Sequence, residues 1–166
     1  MKEKNELLEI LKRLDIGYKS YNHQPIYNVM DAEKYAQDIP GAHCKNLFLK
    51  NTEKHLYLAI ILDQKRVDLK NLSKQLNSKR LSFASYELLE KTLNIKPGCV
   101  TPFALINSIT KNVIVLLDRD ILNEEKVSFH PLVNTETITI SLADLLKFID
   151  YCGQKTIIIE NCIESY

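Results

Sequence analysis

GAHCKNLFLKN, residues 41–51, is followed after a short polar turn by HLYLAIIL, residues 55–62, and this pair decides what kind of sheet the chain can build. Leu47, Phe48 and Leu49 put apolar side chains on both sides of an extended segment, and the second run is apolar almost throughout. A strand covered on one face alternates apolar with polar residues; a strand covered on both faces does not. The turn between the runs, Asn51 to Lys54, has the length and composition of a hairpin connection. The first run holds an inconsistency. Side chains alternate along a strand, so Lys45 shares a face with Leu47 and Leu49, while Asn46 shares the other with Phe48. A lysine and an amide at the mouth of a buried strand either escape to solvent or have a use.

Outward from this hairpin, the chain alternates helical and extended patterns. Leu7, Leu8, Leu11 and Leu14 recur at helical spacing and predict an amphipathic opening helix that ends before Gly17. YKSY is a short strand, His23-Gln24-Pro25 a turn, and residues 28–37 a second helix with Asn28 as its cap. Beyond the hairpin, Asp68 caps a short helix carrying Leu69, Leu72 and Leu76. RLSFA is a strand, and Ser85 starts the helix YELLEKTL. NVIVLLD, KVSFH and TITI are further strands, Ser141 caps LADLLKFI with Asp144 in its first turn, and KTIIIE closes as a final strand. Without a regular βαβ repeat, the fold class expected is α+β, a mixed β-sheet with surrounding helices.

The chain has 166 residues with 45% hydrophobic content, which suits one domain, residues 1–166, with no linker. Its 22 basic and 21 acidic residues leave a net charge of +1, so contact with RNA must come from a local patch. No apolar run is long enough to span a bilayer and the start has no secretory pattern, so a cytoplasmic protein without membrane contact is expected. Cys44, Cys99, Cys152 and Cys162 form no Cys-x-x-Cys pair, and His23, His43, His55 and His130 are scattered, so free thiols and no metal or other cofactor are expected. The chain lacks the glycine-rich dinucleotide and P-loop patterns and the Gly-x-Ser-x-Gly elbow. His43 and Cys44 point to opposite faces as strand neighbours, so a Cys44 nucleophile would need another base, and a buried thiol is the simpler account.

Three polar places stand on this apolar frame. Lys45-Asn46 is the first. KPGCVTPFALIN is the second, where Gly98 permits a tight turn and Pro102 stiffens the exit, fixing the directions of backbone donors and acceptors. FHPLVNTETITI is the third, where His130 ends a strand before Pro131, and Asn134 follows. Lys70, Lys74, Lys79 and Arg80 form the one notable basic cluster, a candidate phosphate contact or a solvated face.

GAHCKNLFLKN, VDLKNLSKQL, RLSFASYELLEKTLNIKPGCVTPFALIN and FHPLVNTETITISLADLLKFI stand in an order that resembles the prolyl-tRNA editing proteins of the YbaK-like superfamily, in the free-standing ProX branch. The resemblance spans roughly residues 20 to 150 and implies a YbaK-like editing fold that deacylates Ala-tRNA(Pro). It implies that Lys45 and Asn46 are the functional pair. It places Gly98, Val100, Thr101, Pro102 and Phe103 in the substrate-pocket wall, with His130 and Asn134 beside it. The partners implied are the acceptor end of tRNA(Pro), with Lys70, Lys74, Lys79 and Arg80 toward the RNA, and prolyl-tRNA synthetase. Family members often carry an acid where Ser108 stands. Other small mischarged substrates (Cys-tRNA(Pro) or Ser-tRNA), a non-catalytic aminoacyl-ligand module and a Cys44-dependent hydrolase stay open as alternatives.

Overall fold

The computed structural model describes residues 4–26, 31, 34, 35, 37–96, 98–107 and 112–160, with the backbone of 163–165. Most of the helix expected over 28–37, its cap Asn28, Ser108 and Cys162 lie outside these residues. Among the described residues the order is α1 (Lys4–Arg13), β1 (Lys19–Asn22), β2 (Ala42–Asn51), β3 (Leu56–Leu62), β4 (Lys65–Val67), α2 (Leu69–Gln75), β5 (Leu81–Phe83) and α3 (Tyr86–Leu93). A 3₁₀ segment (Pro102–Asn107), β6 (Val113–Asp118), a second 3₁₀ segment (Arg119–Asn123), β7 (Lys126–Phe129) and β8 (Glu136–Ser141) follow. The chain continues with α4 (Leu142–Tyr151), β9 (Thr156–Ile159) and β10 (Ile163–Ser165).

The helix starts follow from their caps. The Asp68 carboxylate accepts the backbone N–H groups of Lys70 and Asn71, Ser85 Oγ accepts that of Leu88, and Ser141 Oγ that of Asp144. Each satisfies a donor that the first helical turn leaves open.

The strands form a mixed sheet in the order β1-β8-β7-β2-β3-β6-β9, with β5 paired to part of β2. β2 and β3 form the expected antiparallel hairpin, with Lys45 opposite Ile61 and Leu49 opposite Tyr57. β2–β7, β3–β6 and β6–β9 are parallel, so the architecture is α+β with a parallel block inside it. Two short strands escape a sequence reading. β10 pairs with β4 in a separate ribbon, so KTIIIE is not the last strand. Three residues are too few for a periodic signal.

Both faces of the hairpin are covered, as its apolar runs require. Phe48, Leu58, Ile60, Val115 and Leu117 point to the larger core with Leu7 and Leu11 of α1, Leu89 and Leu93 of α3, and Leu145 and Phe148 of α4. Leu49, Ala59, Ile61 and Leu116 point the other way and meet Leu72 of α2. At the end of the hairpin near residue 44 a polar strut closes the sheet. The buried Asp118 carboxylate accepts from the Leu62 backbone N–H at 3.2 Å and from Lys65 Nζ at 2.9 Å, and Asp120 binds the same ammonium at 2.5 Å. Burial opposes the charge on Lys65, but the hydrogen bonds to Asp120 and Asp118 outweigh it and raise its pKa.

Candidate active site

The neighbours of β2 change along its length, and that change makes the site. Its parallel ladder with β7 covers only Ala42 and His43, opposite Val127 and Ser128. Its ladder with β5 covers Leu49 to Asn51. Between them, at Lys45, Asn46 and Leu47, that edge of β2 has left one partner and not reached the next. The sheet is forked there. By strand parity Lys45 and His130, each two residues beyond the last ladder pair, stand on the face shared by His43 and Ser128.

The loop of residues 98–102 bridges the fork. Asn46 Nδ2 donates to the Val100 carbonyl at 3.1 Å on one side, and Thr101 Oγ1 donates to the His130 carbonyl at 2.9 Å on the other. Gly98 lies at φ +81°, a region open to glycine and strained for other residues. Lys45 and Asn46 therefore have different surroundings. Asn46 turns toward the loop on the face of the larger core, while Lys45 shares the opposite face with His43. The Asn46 amide Oδ1 is enclosed and accepts no hydrogen bond among the described residues.

The face that carries Lys45 is polar toward β7 and β8. Ser128, Thr137 and Thr139 are buried there, and Ser128 and Thr139 hydroxyls both donate to the Pro40 carbonyl, at 2.8 and 3.0 Å. Gly41, at φ +100°, lets this strap approach β7; a Cβ would stand 3.1 Å from Ser128 Oγ and 3.2 Å from the Lys126 backbone. Three histidines gather along the same face. His130 Nδ1 lies 3.0 Å from the Glu136 carbonyl, which can only accept, so the proton sits on Nδ1 and the lone pair on Nε2. His43 Nε2 donates likewise to the Ile39 carbonyl at 2.9 Å. His23 Nδ1 donates to the Gln24 carbonyl, leaving Nε2 to accept from Thr137 at 2.9 Å. The His23 and His130 rings meet edge to face at 5.9 Å, and Tyr35 stacks on His23 at 5.1 Å. Burial lowers the His130 pKa; the Glu136 hydrogen bond opposes this, and His23 and His43 reinforce it.

The expected site residues divide accordingly. Lys45, Asn46, Gly98, Val100, Thr101 and His130 come together at the fork. Phe103 does not line a pocket. It is fully buried in the larger core, edge to face with Phe129 and Phe148 at 6.0 and 5.2 Å, and Pro102 is buried beside it. Asn134 anchors a neighbouring turn, its Nδ2 reaching the Ile26 carbonyl at 3.4 Å. Lys70, Lys74, Lys79 and Arg80 are exposed on and just after α2, which covers the Lys45 face of the sheet. The structure adds His23 and His43 as site neighbours, and strand parity alone puts His43 beside Lys45. Among the described residues no three His, Cys, Asp or Glu side chains gather closely enough to hold a metal ion. Cys44 packs toward the larger core, where burial and then the carboxylates of Asp118, Asp63 and Glu124 raise its pKa far above the thiolate range, which disfavours it as a nucleophile.

Residues 23–148 match the family model described as the aminoacyl-tRNA editing domain. The chain is 32% identical over 154 residues to the prolyl-tRNA editing protein ProX of Acetoanaerobium sticklandii, covering 92% of this chain and 94% of that protein. It is 35% identical over 161 residues to prolyl-tRNA synthetase associated domain-containing protein 1 of Xenopus laevis, covering 94% and 95%. A crystal structure described as that of a candidate trans-editing enzyme for prolyl tRNA synthetase superposes with a TM-score of 0.71 at 16% identity, over 97% of this chain and 99% of that one, a likeness of fold. On these matches the chain belongs to the aminoacyl-tRNA editing domain family and is a hydrolase of that family.

Proposed function

We propose that this protein is a free-standing editing deacylase that hydrolyses alanine from mischarged tRNA(Pro), with Lys45 at the centre of its site. The observation that carries the proposal is the fork itself. It brings a lysine and a neutral, oriented histidine to the same face of the sheet, one on each side of a loop anchored to both strands. Similarity to prolyl-tRNA editing proteins supports the RNA class, and the synthetase that makes the error is the partner this reading implies.

The substrate is an ester between an amino acid and the terminal ribose. A proline pocket cannot exclude alanine by size, and missing methylenes give only about 1–3 kcal/mol of discrimination each. A second site that admits alanine and rejects the pyrrolidine ring supplies the rest. Water adds to the ester carbonyl, the tetrahedral oxyanion collapses, and the ribose oxygen leaves with a proton, giving free alanine and tRNA. Lys45 holds the terminal phosphate or ribose and favours the developing oxyanion. His130, with its Nε2 lone pair, accepts from the water or from the substrate ammonium. Asn46 acts as a positioning residue: it clamps Val100 and so holds the loop against β2. The 98–102 backbone limits the size of the side chain admitted.

The test is a deacylation time course on Ala-tRNA(Pro) and Pro-tRNA(Pro), with Cys-tRNA(Pro) and Ser-tRNA as competitors, for wild type and Lys45→Ala. Rapid loss of alanine alone, slowed about 100-fold or more by the substitution, is expected. Preference for cysteine or serine would move the substrate within the class. No hydrolysis of any ester by folded wild type would overturn the reading in favour of a binding module.

A further inference from the structure

Phe83 ends β5 opposite Leu49 of β2, so its ring stands on the face that carries Leu47 and Lys45. Leu81, two residues back on that face, is buried beneath α2, but Phe83 is 59% exposed. No other strand covers the outer side of β5 among the described residues. Four residues of β2 separate the level of Lys45 from that of Phe83, about 13 Å at roughly 3.3 Å per residue. Arg80 and Lys79, both exposed, lie beyond Leu81 in the segment that joins α2 to β5.

Lys45 and Phe83 therefore share the face, and two exposed cations follow in the chain segment that leads into β5. An apolar protein partner has no need of that arrangement. A single-stranded nucleic acid does, because it presents phosphates at intervals and flat bases between them. A stacked strand advances about 3.4 Å per nucleotide, so the span from Lys45 to Phe83 takes at most about four nucleotides, and fewer when the bases are splayed. We infer that Phe83 is a stacking platform for one of the unpaired nucleotides preceding the esterified one, with Arg80 and Lys79 on the phosphates beyond it. This rests on the editing reading of Lys45, and it extends that reading from the ester to the strand that carries it. The platform fixes how far the RNA enters, and so which atom reaches Lys45.

The experiment uses an RNA hairpin with an unpaired 3′ end, carrying a fluorescent adenine analogue in turn at each of the three positions before the terminal nucleotide. Wild type should quench one of these positions. Phe83→Ala should abolish the quench and weaken binding about 5- to 150-fold, the range found for loss of a base–aromatic stack. Phe83→Tyr should keep both, and Phe83→Leu, which keeps apolar area but not the ring, should lose both. The ring is largely in solvent, so these substitutions spare the core. A second measurement follows hydrolysis of the alanyl ester of the terminal nucleoside alone, where wild type and Phe83→Ala should be equal because no upstream base is present. Absence of quenching at every position, or unchanged affinity in Phe83→Ala, overturns the platform while leaving the editing reading intact if alanine is still released. Quenching by a wild type that hydrolyses no ester does the reverse: it supports the platform and sinks the editing reading.

Discussion

The hydrogen bond from His130 Nδ1 to the Glu136 carbonyl fixes one neutral tautomer, and burial disfavours the imidazolium. The electrostatic influence of His23, and after it that of His43, acts in the same direction. The sign of the consequence follows from proton counts. Between the lowered native pKa and the ordinary value of 6.5, the unfolded chain binds more protons than the native one. The stabilisation is complete above 6.5 and is lost as pH falls toward the native value. His130→Gln should therefore flatten the acid side of a urea-midpoint profile, and an unchanged slope would show that other groups dominate it. In wild type, deacylation should persist somewhat below pH 6.5 before its acid limb falls, since the neutral ring survives there; kcat/KM against pH checks this. Thr101 offers a second residue-scale prediction. It is fully buried and donates to the His130 carbonyl, so Thr101→Val leaves that acceptor open at a cost of about 1–3 kcal/mol. Thr101→Ser should restore much of the loss in the same denaturation measurement.

Two glycines set the connections around the fork, and they differ in what an added methyl would meet. Gly98 has a positive φ but open space at its Cβ, so Gly98→Ala should cost about 1–2 kcal/mol of backbone strain. Gly41 is both positive in φ and pressed against Ser128 and the Lys126 backbone, so Gly41→Ala should cost more. Urea midpoints of the two variants compare them directly, and equal losses would mean that the strap yields easily. The contrast also marks what was legible in the sequence. Phe48 and Ile60 announced a strand pair covered on both faces, and Asp68, Ser85 and Ser141 announced their helices, because periodicity and caps are local. Lys45 was legible as an exception to that pattern. His43 was within reach of the same parity argument, but His23 was not, because only the packing of β1, β8, β7 and β2 side by side places it near His130. Phe103 misled for a related reason: it belongs to a loop that lines the fork with one part and fills the core with another.

Across the whole molecule, the face opposite the larger core is divided. α2 seals its apolar half over Leu49, Ala59 and Ile61, the Pro40 strap closes its polar half over Ser128 and Thr139, and Lys45 stands between the two covers. The strut at Asp118 holds the same end of the sheet, joining the end of β3, β4 and the end of β6. Removing the carboxylate leaves Lys65 buried with the more exposed Asp120, so Asp118→Ala should cost about 3–5 kcal/mol and be seen as a lowered urea midpoint. The charge distribution obeys the same economy of place. With a net charge of +1, the chain has no general attraction for RNA, and its affinity must depend on few phosphate contacts. Each neutralised phosphate contributes about 0.7–0.9 to the slope of log affinity against log salt. If Lys79 and Arg80 bind phosphates beyond the Phe83 platform, replacing both with Gln should reduce that slope by roughly 1.4–1.8. The same double replacement on α2, at Lys70 and Lys74, separates the two halves of the basic cluster: a smaller change there directs the RNA along β5, and an equal change spreads it across the helix. An unaltered slope in the Lys79/Arg80 variant, with deacylation intact, would remove that pair from the interface and leave Lys45 to hold the strand by its end.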